Sequence, residues 1–120
     1  MSKAAISVFV FSIYLFVLGL ILVAFPNVLL SLIRFPETNE VWIRVAGMLV
    51  LILGYYYSTA AQNELTSILR ASVIGRFSVL VFFVAFVLLG FAPPILVLLG
   101  VIDAVAAIWT GLALRAQSST

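Results

Sequence analysis

The 120-residue sequence contains no cysteine and no histidine. Without cysteine it can form no disulfide, thiol redox centre or thiolate metal site. Haem, copper, non-haem iron and catalytic zinc nearly always need imidazole or thiolate ligands. The composition therefore predicts that the protein has no metal and no cofactor.

Charged residues are also scarce. They make up 8% of the chain, and hydrophobic residues make up 66%, against about 25% and roughly 45–50% in soluble domains. No basic cluster suggests nucleic-acid binding. The chain also has no Gly-x-Ser-x-Gly elbow, no phosphate-binding glycine loop and no closely spaced carboxylate pair. We therefore expect an integral membrane protein that is not an enzyme.

Four apolar runs fill most of the chain. A helix needs about 20 apolar residues to cross the hydrocarbon core of a bilayer. Residues 4–25, 41–61, 66–92 and 95–114 satisfy this condition. The first run is longer than the apolar core of a cleaved signal peptide, about 7–15 residues, which favours a retained helix. The sequence predicts an all-α fold: one transmembrane four-helix bundle with short loops, spanning residues 1–120.

The connections between the runs carry proline and polar residues. Pro26 ends the first run, and residues 27–35 are too short to cross a membrane, which indicates an interfacial amphipathic helix. Residues 38–39, Thr-Asn, offer an N-cap for the second span, with Glu40 in its first turn. Residues 93–94, Pro-Pro, predict a tight hairpin before the last span.

The basic residues predict the orientation, because they are enriched in cytoplasmic loops. One side of the predicted membrane holds Lys3, Arg70, Arg76 and Arg115, and the other holds Arg34 and Arg44. We therefore expect both termini in the cytoplasm, in a cell inner membrane.

Asp103 is the acidic residue predicted to lie inside the membrane. Such carboxylates are costly, so they face the bundle interior or water and usually have a partner. Helical spacing puts Asp103 on a face of small and polar residues that also holds Gly100, Ala107, Thr110 and Gly111. Two interpretations stay open: Asp103 fixes helix packing through one buried contact, or it binds a solute or passes a proton.

Arg44 and Arg76 are the available partners for Asp103. Arg44 shares its helix face with Gly47, Gly54, Tyr55 and Ser58, which favours an inward position, although arginines near span ends also reach to lipid headgroups. Arg76 either faces the bundle or serves as a cytoplasmic positive charge. Depth in the membrane does not decide which arginine pairs with Asp103.

Tyrosines add a second kind of polar group. Residues 55–57 are all tyrosine, and at most two of them can face the interior, while Tyr14 is a further candidate near mid-membrane. Together these observations predict a polar seam inside an apolar bundle, made of Tyr14, Arg44, Tyr55, Arg76, Asp103 and Thr110.

The second to fourth spans resemble small bacterial four-helix membrane proteins of the DoxX-like and BphX-like families. The residues that carry the likeness are Trp42-Ile43-Arg44-Val45-Ala46-Gly47, Gly54-Tyr55-Tyr56-Tyr57, Gly75-Arg76, and Gly100 to Asp103 with Trp109-Thr110. The resemblance implies a four-helix bundle in a bacterial inner membrane. It also implies that Arg44, Arg76 and Asp103 are important, and it suggests quinone or redox partners.

Three functions fit these observations. The first is a homo-oligomeric bundle whose polar seam binds a lipid-like, quinone-like or other small amphiphilic ligand, or docks a membrane partner. The second is a transporter or channel whose path is lined by Asp103 and the arginines. The third is a non-catalytic subunit of a membrane redox enzyme. Small residues on the helix faces favour helix association, so we expect the first.

Overall fold

A computed structural model describes residues 1–118 of the chain. Within them lie α1 (Lys3–Ala24), α2 (Pro26–Leu32), α3 (Val41–Gln62), α4 (Thr66–Leu88) and α5 (Leu96–Ser118). All but the short α2 are long and apolar enough to cross a membrane. The predicted all-α four-helix bundle is confirmed, and the chain is a multi-pass membrane protein.

α1 lies at the centre of the bundle. It packs against α3 along most of its length and also contacts α5, α2 and, over a smaller area, α4. α4 and α5 form the second closely packed pair. α3 and α4 follow one another in sequence but have little contact, so the bundle is least tightly closed between these two helices.

Glycines allow α1 and α3 to approach closely. A Cβ atom at Gly47 of α3 would lie 2.7 Å from Leu22 Cβ and 2.9 Å from the backbone nitrogen of Val23. A Cβ atom at Gly19 of α1 would lie 3.0 Å from the carbonyl oxygen of Gly47. Contacts of this kind between small residues are a common way for membrane helices to pack, because lipid provides no hydrophobic driving force between them.

The two ends of the bundle differ in their contacts. One end holds the start of α1, the α3–α4 turn and the end of α5, and we call it the terminal end; the other holds α2 and residues 93–94, and we call it the hairpin end. At the terminal end, Ser2 Oγ donates to Glu64 Oε2 at 2.7 Å, and the Ser2 backbone N–H donates to Glu64 Oε1. Beneath this contact lies the most buried apolar cluster: Ala4, Ala5, Val8, Ala60, Ala61, Leu69 and Ala113.

Three helices each end in the same type of turn, and in α4 this turn places the end of the helix earlier than predicted. α4 ends at Leu88 rather than at residue 92, because Gly90 takes φ +82° and the Phe91 N–H donates to the Phe86 carbonyl at 2.8 Å. This is the Schellman arrangement, in which a left-handed residue follows the last turn. α2 and α3 end in the same way, with Arg34 (φ 60°) and Glu64 (φ 54°) as the left-handed residues.

Two further boundaries differ from the prediction. α5 continues through Arg115 to Ser118 instead of ending at residue 114, and a cation in the last turn of a helix interacts favourably with its dipole. The N-cap of α3 is Glu40, with no side-chain capping bond, and not the Thr-Asn pair. The Thr38 hydroxyl instead accepts from the Glu40 N–H at 3.1 Å.

The interfacial helix is confirmed as a helix but is shorter than expected. α2 begins at Pro26 and ends at Leu32. It buries Pro26 and Leu30 and leaves Val28 and Leu32 exposed. Its carboxyl-terminal loop is fixed by Asn27, whose side-chain oxygen accepts from the Thr38 N–H at 2.9 Å.

Candidate functional site

Arg76 of α4 is the most deeply buried charged residue in the described part of the chain, with 2% of its surface exposed. Its guanidinium carries five N–H donors: one on Nε and two on each terminal nitrogen. Nε donates to the Ser72 carbonyl at 3.2 Å, and Nη2 donates to Ser72 Oγ at 3.0 Å and to Thr110 Oγ1 at 2.9 Å. Nη1 is buried and has no acceptor among residues 1–118.

The hydroxyl contacts continue from Arg76 to α1. Thr110 Oγ1 lies 2.6 Å from Ser7 Oγ, and Ser7 Oγ donates to the Ala4 carbonyl at 2.7 Å. Thr110 Oγ1 also lies 3.3 Å from the Ala106 carbonyl, so either hydroxyl can be the donor in the contact between Thr110 and Ser7. Arg76, Ser72, Thr110 and Ser7 thus form a hydrogen-bonded network across α4, α5 and α1, which we call the Arg76 network.

Aromatic rings cover the guanidinium on the α1 side. The Phe11 ring centroid lies 4.8 Å from Arg76 Cζ, within the range of cation–π attraction. Phe11 in turn packs against Tyr14, at a centroid distance of 5.5 Å, and against Tyr57 of α3, at 6.1 Å. The cation is therefore held by hydroxyl oxygens and an aromatic face rather than by a carboxylate.

Asp103 of α5 is half-buried and interacts electrostatically with Arg76, Tyr14 and Tyr57. The two Arg76 nitrogens that have partners donate to Ser72 and Thr110, and Nη1 has no acceptor among residues 1–118. Asp103 is therefore a nearby counter-charge without a direct hydrogen bond to the guanidinium. Of the two candidate partners, Arg76 is the arginine that faces Asp103.

A cavity of about 210 Å³ opens beside Asp103, and we call it the central cavity. All four spans contribute to its walls, which are apolar except for the carboxyl group of Asp103 and the phenol of Tyr14. The lining residues are Tyr14, Leu15, Leu18, Val50, Leu53, Val79, Phe83, Leu99 and Asp103. An apolar cavity with a few convergent polar groups is the usual form of a small-molecule site.

The structure brings four of the six seam residues together. Arg76 and Thr110 are bonded to each other, and Asp103 and Tyr14 line the central cavity next to them. Polar residues at helical spacing on α4 and α5 were therefore sufficient to predict the site on these two helices.

Arg44 and Tyr55 do not lie in the seam. Arg44 is exposed at the hairpin end, where Nη1 donates to the Val23 carbonyl in the last turn of α1. That carbonyl has no partner within its own helix, so Arg44 caps α1. Tyr55 is 61% exposed and packs beside the exposed Tyr56. Tyr57 is the half-buried member of the triplet.

The sequence predicted Tyr14 of α1 as a seam residue but missed Ser7 and Phe11 on the same helix. Ser7, Phe11 and Tyr14 lie at helical spacing on one face of α1, and all three contact the Arg76 network or line the central cavity. A single serine in a long apolar helix is a weak signal. The i, i+4, i+7 spacing of Ser7, Phe11 and Tyr14 was the pattern that could have identified this face.

The described residues include no group of three acidic, histidine or cysteine side chains that could hold a metal ion. Comparison with protein-family models, curated proteins and solved structures finds no match to this chain. The resemblance to the DoxX-like and BphX-like families therefore stays a prediction, and the site must be interpreted from its own geometry.

Proposed function

We propose that this membrane protein binds a small amphiphilic molecule in the central cavity. The apolar body of the ligand would lie between the four spans, and its polar end would contact Asp103 and Tyr14. The observation that carries the proposal is the placement of a carboxyl group and a phenol at the wall of an otherwise apolar cavity inside the bundle.

The size of the cavity limits the ligand. An apolar protein cavity of about 150 Å³ holds one benzene molecule, and the central cavity measures about 210 Å³. It can therefore hold one substituted ring or a short branched chain, but not a whole phospholipid. This supports a small amphiphile, or the head ring of a longer quinone-like molecule whose tail extends between the helices.

The free-energy cost of placing the Asp103 carboxyl inside the membrane favours a role in binding over a role in helix packing alone. A carboxyl group inside a membrane costs a few kcal/mol or more unless it has partners. Asp103 has no hydrogen bond to the nearby guanidinium, which is held by Ser72 and Thr110. A residue that only fixed helix packing would be expected to bond directly to the cation beside it.

Native mass spectrometry of the detergent-extracted protein tests the proposal. We expect a reproducible additional mass on the wild-type chain and its loss in Leu99→Phe, because the larger ring fills the cavity that Leu99 lines. Leu98→Phe is the matched control: it makes the same change one residue away, at a side chain that is 60% exposed, and should keep the additional mass. A mass that survives Leu99→Phe would contradict binding in this cavity.

Three wider features remain proposals. Arg76 lies inside the bundle, but Lys3, Arg70 and Arg115 at the terminal end still outnumber Arg34 and Arg44 at the hairpin end, which supports cytoplasmic termini. The family resemblance supports a bacterial inner membrane. A homo-oligomer has less support than the sequence suggested, because Gly19 and Gly47 are used for packing within the chain; the same native mass measurement gives the oligomer number.

A further inference from the structure

We propose that the cleft between α4 and α5 at the terminal end binds one anionic membrane phospholipid. Its phosphate would lie between Arg70 and Arg115, and one acyl chain would follow the apolar groove beneath them. This lipid site shares no lining residue with the central cavity. It is therefore a second site, and its ligand is a whole lipid rather than a small amphiphile.

A groove of about 310 Å³ lies between α4 and α5, and we call it the terminal groove. Its α4 wall is formed by residues at positions i, i+3 and i+4, and its α5 wall by residues at the same spacing. The two helices are antiparallel, so both arginines lie at the terminal end and the apolar residues lie deeper in the bundle. The lining residues are Arg70, Val73, Ile74, Gly111, Leu114 and Arg115.

Two glycines of α5 show how the groove opens. A Cβ atom at Gly100 would lie 3.0 Å from Leu80 Cδ1 and 3.1 Å from Leu80 Cα, so α4 and α5 are in close contact there. A Cβ atom at Gly111 would meet its nearest neighbour, Val73 Cγ1, at 3.8 Å. The helix pair is therefore closed near Gly100 and leaves space beside Gly111. Because this space has apolar walls, it suits a hydrocarbon chain.

The mouth of the groove carries two positive charges and no acidic side chain among the described residues. The chain has four acidic side chains. Glu64 is bonded to Ser2, Asp103 lines the central cavity, and the other two lie in the loop before α3. Basic pockets between spans bind anionic lipid headgroups, and arginine donates paired hydrogen bonds to phosphate. The charge at Arg70 and Arg115 is thus complementary to a lipid phosphate.

A second, more polar hollow of about 200 Å³ adjoins the terminal groove and shares Arg70 and Leu114 with it. Its other lining residues include Ser2, Thr66 and Gln117. Hydroxyl and amide side chains suit the polar part of a headgroup that lies beyond the phosphate. A free phosphate would leave the apolar groove empty, so the two adjoining spaces favour a lipid over a soluble anion.

Native mass spectrometry of the full chain in detergent tests the proposal, with phosphatidylglycerol and phosphatidylcholine of identical acyl chains as probes. We expect one phosphatidylglycerol per chain, bound about 25-fold more tightly than phosphatidylcholine, because each basic residue near the membrane surface strengthens the binding of anionic lipid about fivefold. Equal affinity for the two lipids would overturn the inference.

Charge variants locate the phosphate. Arg70→Gln and Arg115→Gln should each weaken phosphatidylglycerol binding about fivefold and leave phosphatidylcholine binding unchanged. Lys3→Gln is the matched control, since it removes the same charge at the same end of the bundle from a residue that lines neither space. It should leave the affinity nearly unchanged. An equal loss in Lys3→Gln would show a diffuse surface charge rather than a site, and would overturn the inference.

Gly111→Leu locates the acyl chain, because the new side chain fills the space beside Val73. It should remove the bound phosphatidylglycerol and keep the helical circular dichroism spectrum. Gly75→Leu is the control: it makes the same change at a glycine of α4 that lines neither space and should keep the lipid. Glycerol 3-phosphate, which has no acyl chain, should not displace the lipid. A lipid that survives Gly111→Leu, or that glycerol 3-phosphate displaces, would overturn the inference.

The two proposed sites fail separately. Leu99→Phe fills the central cavity and should keep phosphatidylglycerol at the terminal groove, whereas Gly111→Leu should keep the small additional mass of the central cavity. Loss of phosphatidylglycerol in Leu99→Phe would assign the lipid to the central cavity and overturn the inference.

Discussion

Arg76 Nη2 donates to Thr110 Oγ1 at 2.9 Å, so the most deeply buried cation of the described chain is fixed by a neutral hydroxyl on the neighbouring helix. Asp103, two turns earlier on α5, is left at the wall of the central cavity. Thr110 and Ser72 hold the guanidinium in place, and Asp103 remains available for a ligand.

Thr110→Val should lower the stability of the bundle by about 1–3 kcal/mol, because it removes the acceptor of one Arg76 N–H and the hydrogen bond with Ser7 without changing the shape of the side chain. Unfolding in mixed detergent micelles by SDS measures the change. Thr59→Val, the same substitution at an exposed position of α3, is the control and should be near neutral. Equal stability of the two variants would contradict the role of the network.

Gly47→Ala should destabilise the protein by about 1–3 kcal/mol, as overpacking does. The new methyl group would lie 2.7 Å from Leu22 Cβ and 2.9 Å from a backbone nitrogen of α1, so the two helices must separate. At Gly75 of α4 a Cβ atom would meet its nearest neighbour, the Tyr57 hydroxyl, at 3.9 Å. Gly75→Ala should therefore be neutral or stabilising by up to about 1 kcal/mol, as expected from helix propensity.

Arg34→Gly should stabilise the end of α2 by up to about 1 kcal/mol. Arg34 has φ 60°, and a side chain in the left-handed region costs roughly 1–2 kcal/mol, part of which is offset by the greater chain entropy of glycine when unfolded. Arg34→Ala, which keeps the strained Cβ, is the control. Thermal unfolding should rank glycine above alanine, and the reverse order would argue against the left-handed turn.

Hydrogen bonds from the backbone N–H and then the hydroxyl of Ser2 hold the pKa of Glu64 below its ordinary value. A carboxyl whose pKa is lower in the folded state contributes stability above its unfolded pKa, and that stability is lost as the pH falls through the folded pKa. We expect an NMR titration of the Glu64 carboxyl to show the lowered pKa and Ser2→Ala to raise it. Ser2→Ala keeps the backbone N–H, so an unchanged pKa of Glu64 in this variant would contradict the contact with the Ser2 hydroxyl.

The four spans were predictable because long uncharged runs are unambiguous. α1 and α3 begin and end within one residue of the predicted limits, residues 4–25 and 41–61. The end of α4 was predictable from Gly90, because glycine is the usual left-handed residue after the last turn of a helix. The end of α2 was not, because the residue that takes this conformation there is an arginine, Arg34.

The candidate site was predictable on α4 and α5, where Arg76, Asp103 and Thr110 interrupt apolar sequence. The choice between Arg44 and Arg76 was not, because it depends on which helices are neighbours. Arg44 lies near the start of α3, beside the Val23 carbonyl in the last turn of α1, and caps it. The rotation of α3, which buries Tyr57 and exposes Tyr55, follows from the glycine contacts with α1 and not from the tyrosines themselves.

The most direct test of the central claim is a crystal structure of the protein extracted from its native membrane with no ligand added. We expect continuous non-protein density between Leu53 and Leu99, in contact with the Asp103 carboxyl and the Tyr14 hydroxyl. A cavity closed by repacked side chains, or one that holds only water, would contradict it.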